Sequence, residues 1–198
     1  MQKILVWDMP VRLGHWLMAG GFVLAWVTSE SEAWRLVHVF AGGTVTAVAL
    51  FRLVWGFIGS RHARFASFVR GPRQTLDYLK RLRHLAHPHH TGHNPAGGWI
   101  VVLLLSLVLL TCACGWFAYQ DIGGEWLANA HKLGTNLILV VIGVHVLLVM
   151  STSNEYLVNA MLNGRKLGPK EEAIAKPHRL AAAVLLIWAA AGAWWLAL

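Results

Sequence analysis

The sequence predicts an all-α integral membrane protein, and three observations carry that prediction. Hydrophobic residues make up 57% of the 198 and charged residues only 13%, about half the roughly 25% of an average soluble domain. The apolar residues gather into five long stretches instead of spreading along the chain. Eleven tryptophans accompany them, and the indole ring, apolar at one end and hydrogen-bonding at the other, favours the membrane–water boundary.

A bilayer core of about 30 Å takes about 20 apolar residues as a helix. The stretches that meet this run from Val11 to Thr28, Leu36 to Ile58, Trp99 to Tyr119, Leu133 to Met150 and Leu180 to Leu198. The opening residues, with Lys3, Asp8 and Pro10 and no small-residue cleavage site, do not read as a secretory signal. Orientation follows from the basic residues, which stay on the cytoplasmic side. Arg61, Arg64, Arg70, Arg73, Lys80, Arg81 and Arg83 lie between the second and third stretches, and Arg165, Lys166, Lys170, Lys176 and Arg179 between the fourth and fifth. The other two connections hold only Arg35 and Lys132 beside Glu30, Glu32, Asp121 and Glu125. The N-terminus is therefore expected inside and the C-terminus outside. The net charge of +8 is a topology signal, and no nucleic-acid partner is expected. Within the long inner loop, Pro72 followed by Leu76, Leu79 and Leu82 predicts a short amphipathic helix on the membrane surface.

Ionisable groups inside a bilayer are costly and mark function. Four histidines fall within or at the edge of the stretches: His15, His38, His131 and His145. His131 and His145 are fourteen residues apart, a rise of about 21 Å and a rotation about 40° short of whole turns, so they share a face at opposite depths. His15 opens the first stretch on the inner side, and His38 opens the second on the outer side. Matching by depth pairs His38 with His131 near the outer face and His15 with His145 near the inner one. Two such couples suit haem iron, which takes axial ligands from both sides of a flat ring; zinc or copper would want three or four ligands converging at one depth. No Cys-x-x-Cys-His occurs, so the haem would be held by coordination alone, as haem b.

Several neighbouring residues admit two readings. Arg52, fourteen residues after His38, either meets a haem propionate or snorkels to the headgroups. Gly20, Gly21, Gly42, Gly43, Gly134 and Gly143 either make room for a macrocycle or pack helices closely. The histidines between His84 and His93 form a solvated loop or a metal site, and Cys112 and Cys114 read as small packing residues.

These residues resemble the bacterial dihaem b-type cytochromes, the family of the cytochrome b subunits of nickel-iron hydrogenases and the bacterial cytochrome b-561 proteins. The marks are Arg12-Leu13-Gly14-His15-Trp16, His38, the run from Phe51 to Gly59, Gly92-His93-Asn94-Pro95, the spacing of His131 and His145, and the run from Asn154 to Lys166. The resemblance covers Trp7 to about Pro169. It implies a four-helix transmembrane bundle with two haems over residues 1–169, including a cytoplasmic loop at 60–98, leaving residues 170–198 as a linker and fifth transmembrane helix. It also implies ligation by His15, His38, His131 and His145, and an electron-transfer subunit working between the membrane quinone pool and a periplasmic c-type cytochrome or a hydrogenase. The fifth stretch departs from the family pattern and leaves the partner open. A second reading makes the protein a superoxide:quinone oxidoreductase acting alone, which an outer basic funnel would favour. A third, a small-solute pathway, would need a polar stripe that the stretches lack.

Overall fold

The structure, a computed structural model, describes residues 2–83, 90–152 and 156–197. His84, His87 and His89, and Asn154 at the head of the last motif, lie outside the described residues. The described chain is helical apart from one small sheet. Strand β1 (Gln2–Leu5) is followed by α1 (Met9–Thr28), α2 (Arg35–Ile58), the single turn α3 (Phe65–Phe68), α4 (Pro72–Arg83), α5 (Pro95–Tyr119), α6 (Glu125–Thr152), α7 (Tyr156–Asn163), β2 (Arg165–Gly168) and α8 (Arg179–Ala197).

Four helical segments are long and apolar enough to cross a membrane: Glu32–Ile58, Pro95–Tyr119, Glu125–Met150 and Arg179–Leu196. The protein is therefore an all-helical membrane protein with four candidate spans. The expected first span is present as the twenty-residue helix α1, but it falls outside this set because Pro10, Arg12 and His15 dilute its apolar first half.

Local signals explain where the helices begin. Asp8 caps α1, its Oδ1 accepting from the Val11 N–H at 2.9 Å, with Pro10 in the first turn. Asn94 does the same for α5, accepting from the Gly97 N–H at 2.7 Å ahead of Pro95. Helix α4 starts at Pro72 as expected, and Leu76 and Leu79 are exposed along it.

Packing divides the long helices into two groups. Helices α1 and α2 pack together with α8 laid across both, while α5 and α6 form a pair joined to the first group through α2 and α5. The seam with α8 centres on the fully buried Leu185 and Val48, with Ala189, Leu13, Leu17, Met18 and Phe51 around them. Small residues bring its backbones close, since a Cβ on Gly43 would lie 3.0 Å from Ala193 Cα. Trp188 Nε1 donates to the Ala47 carbonyl across this seam at 2.8 Å. Helix α6 is different. Only 6% of its apolar window is buried, and among the described residues it packs on α5 and stands off α1 and α2.

The end of the bundle that carries the N-terminus is closed by a cap. Strands β1 and β2 pair antiparallel, Gln2 facing Gly168 and Leu5 facing Arg165. Ile4, Val6, Trp7, Val11, Ala63 and Ala160 form its core. Gly164 links α7 to β2 at φ 81°, a conformation natural only to glycine, and its carbonyl accepts from the Val6 and Trp7 N–H groups at 2.8 and 3.0 Å.

Lys166 on β2 reaches under this cap and donates to the His90 carbonyl at 2.8 Å. Burial lowers its pKa from 10.5 to about 8. The folded value lies below the unfolded one, so the contribution to stability is fully present above pH 10.5 and is lost as pH falls through about 8. Thermal unfolding of wild type and Lys166→Met in detergent should therefore diverge between these limits, with the wild type gaining; a difference that is flat in pH would contradict this.

Candidate metal centres

The four candidate histidines come from three helices: His15 from α1, His38 from α2, and His131 and His145 from α6. The last of these helices makes little close backbone contact with the other two. Where the backbones stand apart, imidazoles bridge.

The outer couple is defined most closely. The rings of His38 and His131 are 6.0 Å apart between centroids, with planes 75° to one another. A metal about 2 Å from one nitrogen of each ring, with about 1 Å more from nitrogen to ring centre, requires centroids about 6 Å apart, so the spacing fits an ion held between them. Both rings are oriented from behind. His38 Nδ1 donates to the Ala25 carbonyl at 2.7 Å and His131 Nδ1 to the Thr111 carbonyl at 2.8 Å. With Nδ1 carrying the proton, each Nε2 keeps its lone pair, the arrangement that ligating imidazoles adopt. Space for the His131 ring is provided by Gly115 on α5, where a Cβ would lie 2.6 Å from His131 Nδ1.

The inner couple is looser. His15 lies within electrostatic reach of His145, and the His15 ring stands edge-on to Trp16 with centroids 5.0 Å apart. His15 Nδ1 is buried without a hydrogen-bond partner. Of the two pairs, His38 and His131 thus meet ring to ring with both rings held from behind, while His15 and His145 have only electrostatic reach between them.

Arg52 does not snorkel. It is only 8% exposed, with its guanidinium carbon 5.1 Å from the Phe65 ring centre and 6.0 Å from that of Phe68, and its Nη1 is buried without a partner. The glycines divide between the two readings. A Cβ on Gly21 would press on Val45, one on Gly43 on α8, and one on Gly134 on Thr111, so these three set helix approach. Gly20, Gly42 and Gly143 border open space, and Gly42 lies one turn from His38 on the same face.

Among the described residues no three His, Cys, Asp or Glu converge as a conventional metal cluster. Cys112 and Cys114 are free thiols, and Cys112 is hydrogen-bonded with Thr46.

Some residues around the two couples had no place beside them in the sequence reading. Asp8 is fully buried and uses its second oxygen to accept from Trp55 Nε1 at 3.0 Å, joining α1 to α2. Its signal was available, an N-cap residue two positions before a proline. His93 sits between Trp7 and Phe68, with ring centroids 4.6 Å from each. Gly115 gave no signal, because only the fold shows what faces it.

The family model described as prokaryotic cytochrome b561 matches residues 6–164, a span that contains all four histidines and stops before β2 and α8. The chain is similar to the probable Ni/Fe-hydrogenase B-type cytochrome subunit of Rhizobium leguminosarum bv. viciae, at 26% identity over 84% of this chain and 90% of that protein. It is similar also to the proteins of the same description from Rhodobacter capsulatus, at 24% identity over 83% of this chain and 81% of the relative, and Azotobacter vinelandii, at 26% over 81% and 87%. No solved structure matches. With its four candidate spans and a family match over most of its length, the chain belongs to the prokaryotic cytochrome b561 family, membrane electron-transport cytochromes that bind haem b.

Proposed function

We propose that the protein conducts electrons across the membrane through two haems b, between the quinone pool and a redox partner at the outer face. The observation that carries this is the outer couple: two imidazoles spaced for one metal between them, each with its far nitrogen fixed by a carbonyl. His38 and His131 are the axial ligands of the outer haem, and His15 and His145 those of the inner one. Bound haem supplies a one-electron iron couple. The protein's residues fix its place and surroundings. Helix α1 crosses the membrane as a fifth span, its polar first half covered by α7 and the inner haem, with Arg12 donating to the Leu162 carbonyl and Trp16 Nε1 to that of Met161. The basic cap lies in the cytoplasm by the positive-inside rule.

The names of the relatives point to a hydrogenase as the outer partner, with a c-type cytochrome as the other redox protein able to serve. The superoxide reading loses its basic funnel. Arg35 is held by Glu32 at 3.1 Å and lies over the Tyr119 ring, which leaves Lys132 as the other basic residue of two connections that also carry Glu30, Asp121 and Glu125.

Anaerobic addition of a quinol to the purified protein should develop the absorption bands of reduced haem b. Failure with both ubiquinol and menaquinol analogues, while dithionite still reduces the haem, would remove the quinone from the account. Gly115→Ala should weaken the outer site alone. The added carbon meets the His131 ring, and disturbing a residue that orients a ligand costs about 10–100-fold in metal affinity. Titration of haem into the variant checks it, and unchanged affinity would contradict the role given to the His131 orientation.

A further inference from the structure

Beside the inner couple lie two buried hydrogen-bond donors that the protein itself leaves unused. Arg52 Nη1 has no partner although the side chain is almost wholly covered. The one acid whose charge it feels is Asp8, and both Asp8 oxygens are already taken, one by the Val11 N–H at 2.9 Å and the other by Trp55 Nε1 at 3.0 Å. His93 Nδ1 is likewise buried and unpartnered. The residue as a whole is half-buried, its ring held between Trp7 and Phe68.

The two donors share a wall. Phe68 touches the His93 ring and also lies beneath the Arg52 guanidinium, and the charge His93 feels most is that of Arg52, followed by Lys166, His145 and His62. Burial, reinforced by the Arg52 and Lys166 charges, lowers the pKa of His93 to about 3, so its ring is neutral and one nitrogen carries a proton to donate. Arg52 and Lys166 against Asp8 leave one positive charge in excess here. Unpaired buried charge of that kind is retained where a counter-charge completes it.

We propose that Arg52 and His93 form a carboxylate clamp, Arg52 supplying the charge and His93 Nδ1 a second hydrogen bond, and that it holds one propionate of the inner haem. The inference rests on the ligand assignment proposed for His15 and His145. Its chemistry, a carboxylate between a guanidinium and a neutral imidazole, is also what a free acetate or phosphate ion would meet, so the test separates the two sources.

The test uses purified full-length holoprotein and reads the midpoint potential of each haem by spectroelectrochemistry, the outer haem being the one lost in His131→Ala. Reduction adds a negative charge, so removing a nearby positive charge lowers the potential. Arg52→Gln should shift the reduction equilibrium of the inner haem about tenfold, equivalent to 59 mV for a one-electron couple, or release that haem alone. His93→Phe, which keeps the ring stacking and deletes the donor, should shift the same haem by a few-fold, and His93→Gln should restore most of the loss. If Arg52→Gln does not fold, the two His93 variants decide. Inner potentials unchanged in haem-loaded His93→Phe, or a shift confined to the outer haem, would overturn the clamp. A wild-type inner potential that moves with added acetate or phosphate would assign the site to a free ion and overturn the propionate. A wild type without haem would instead sink the function on which the clamp rests.

Discussion

Replacing His131 with alanine is expected to leave a folded protein that carries one haem in place of two. His131 faces His38 at 6.0 Å, so removing it leaves the outer metal with a single protein ligand on α2, while His15 and His145 remain at the other depth. The same loss should follow from His38→Ala, because the couple is the unit that binds. His15→Ala and His145→Ala should each remove the other haem. The quantity to measure is haem per chain by pyridine haemochrome, together with the potential of what remains. Depth pairing requires that His38→Ala and His131→Ala leave the same surviving haem. If each variant lost both haems, or left different ones, the ligands would be paired otherwise than proposed.

The second large effect is expected at Asp8, which makes no contact with the proposed metals. Its carboxylate caps α1 and fixes Trp55 of α2, and it is the acid that Arg52 feels. Truncation to alanine removes an N-cap worth about 1 kcal/mol and strands the Trp55 N–H, a part-buried donor whose loss of partner costs up to about 1–3 kcal/mol. The Arg52 charge is left without its one acid, which adds to the penalty. Asp8→Ala should therefore lose roughly 3 kcal/mol or more, seen as a clear fall in the thermal unfolding midpoint in detergent. Asp8→Asn retains an acceptor for the cap and should recover part of that loss. An Asp8→Ala protein as stable as the wild type would show that the two helices are held in register by something else.

Much of this architecture could be read from the residues because the bilayer imposes a simple length rule. The second stretch was expected at Leu36 to Ile58 and α2 runs Arg35–Ile58. The third and fourth helices begin four and eight residues earlier than their apolar stretches, at Pro95 and Glu125, since a hydropathy criterion sees only the bilayer-thick part of a helix that continues into water. The four histidines were legible because helix geometry alone places His131 and His145 on one face. What stayed hidden was non-local. The pairing of β1 with β2 joins residues more than 150 positions apart, and neither four-residue strand carries enough pattern to declare itself. The laying of α8 across α1 and α2 depends on which small residues meet, and Gly43, Ala47 and Ala193 announce no partner in isolation. Arg52 admitted two readings until the cage of Phe65 and Phe68 was seen, because both aromatic rings come from a loop that sequence alone leaves unplaced.

The most direct measurement is the number of acid-extractable haems in the purified full-length wild-type chain. Two per chain, both low-spin and bound without a covalent link, are what paired imidazoles at two depths predict. None, or a single haem that survives both His131→Ala and His145→Ala, would contradict the central claim.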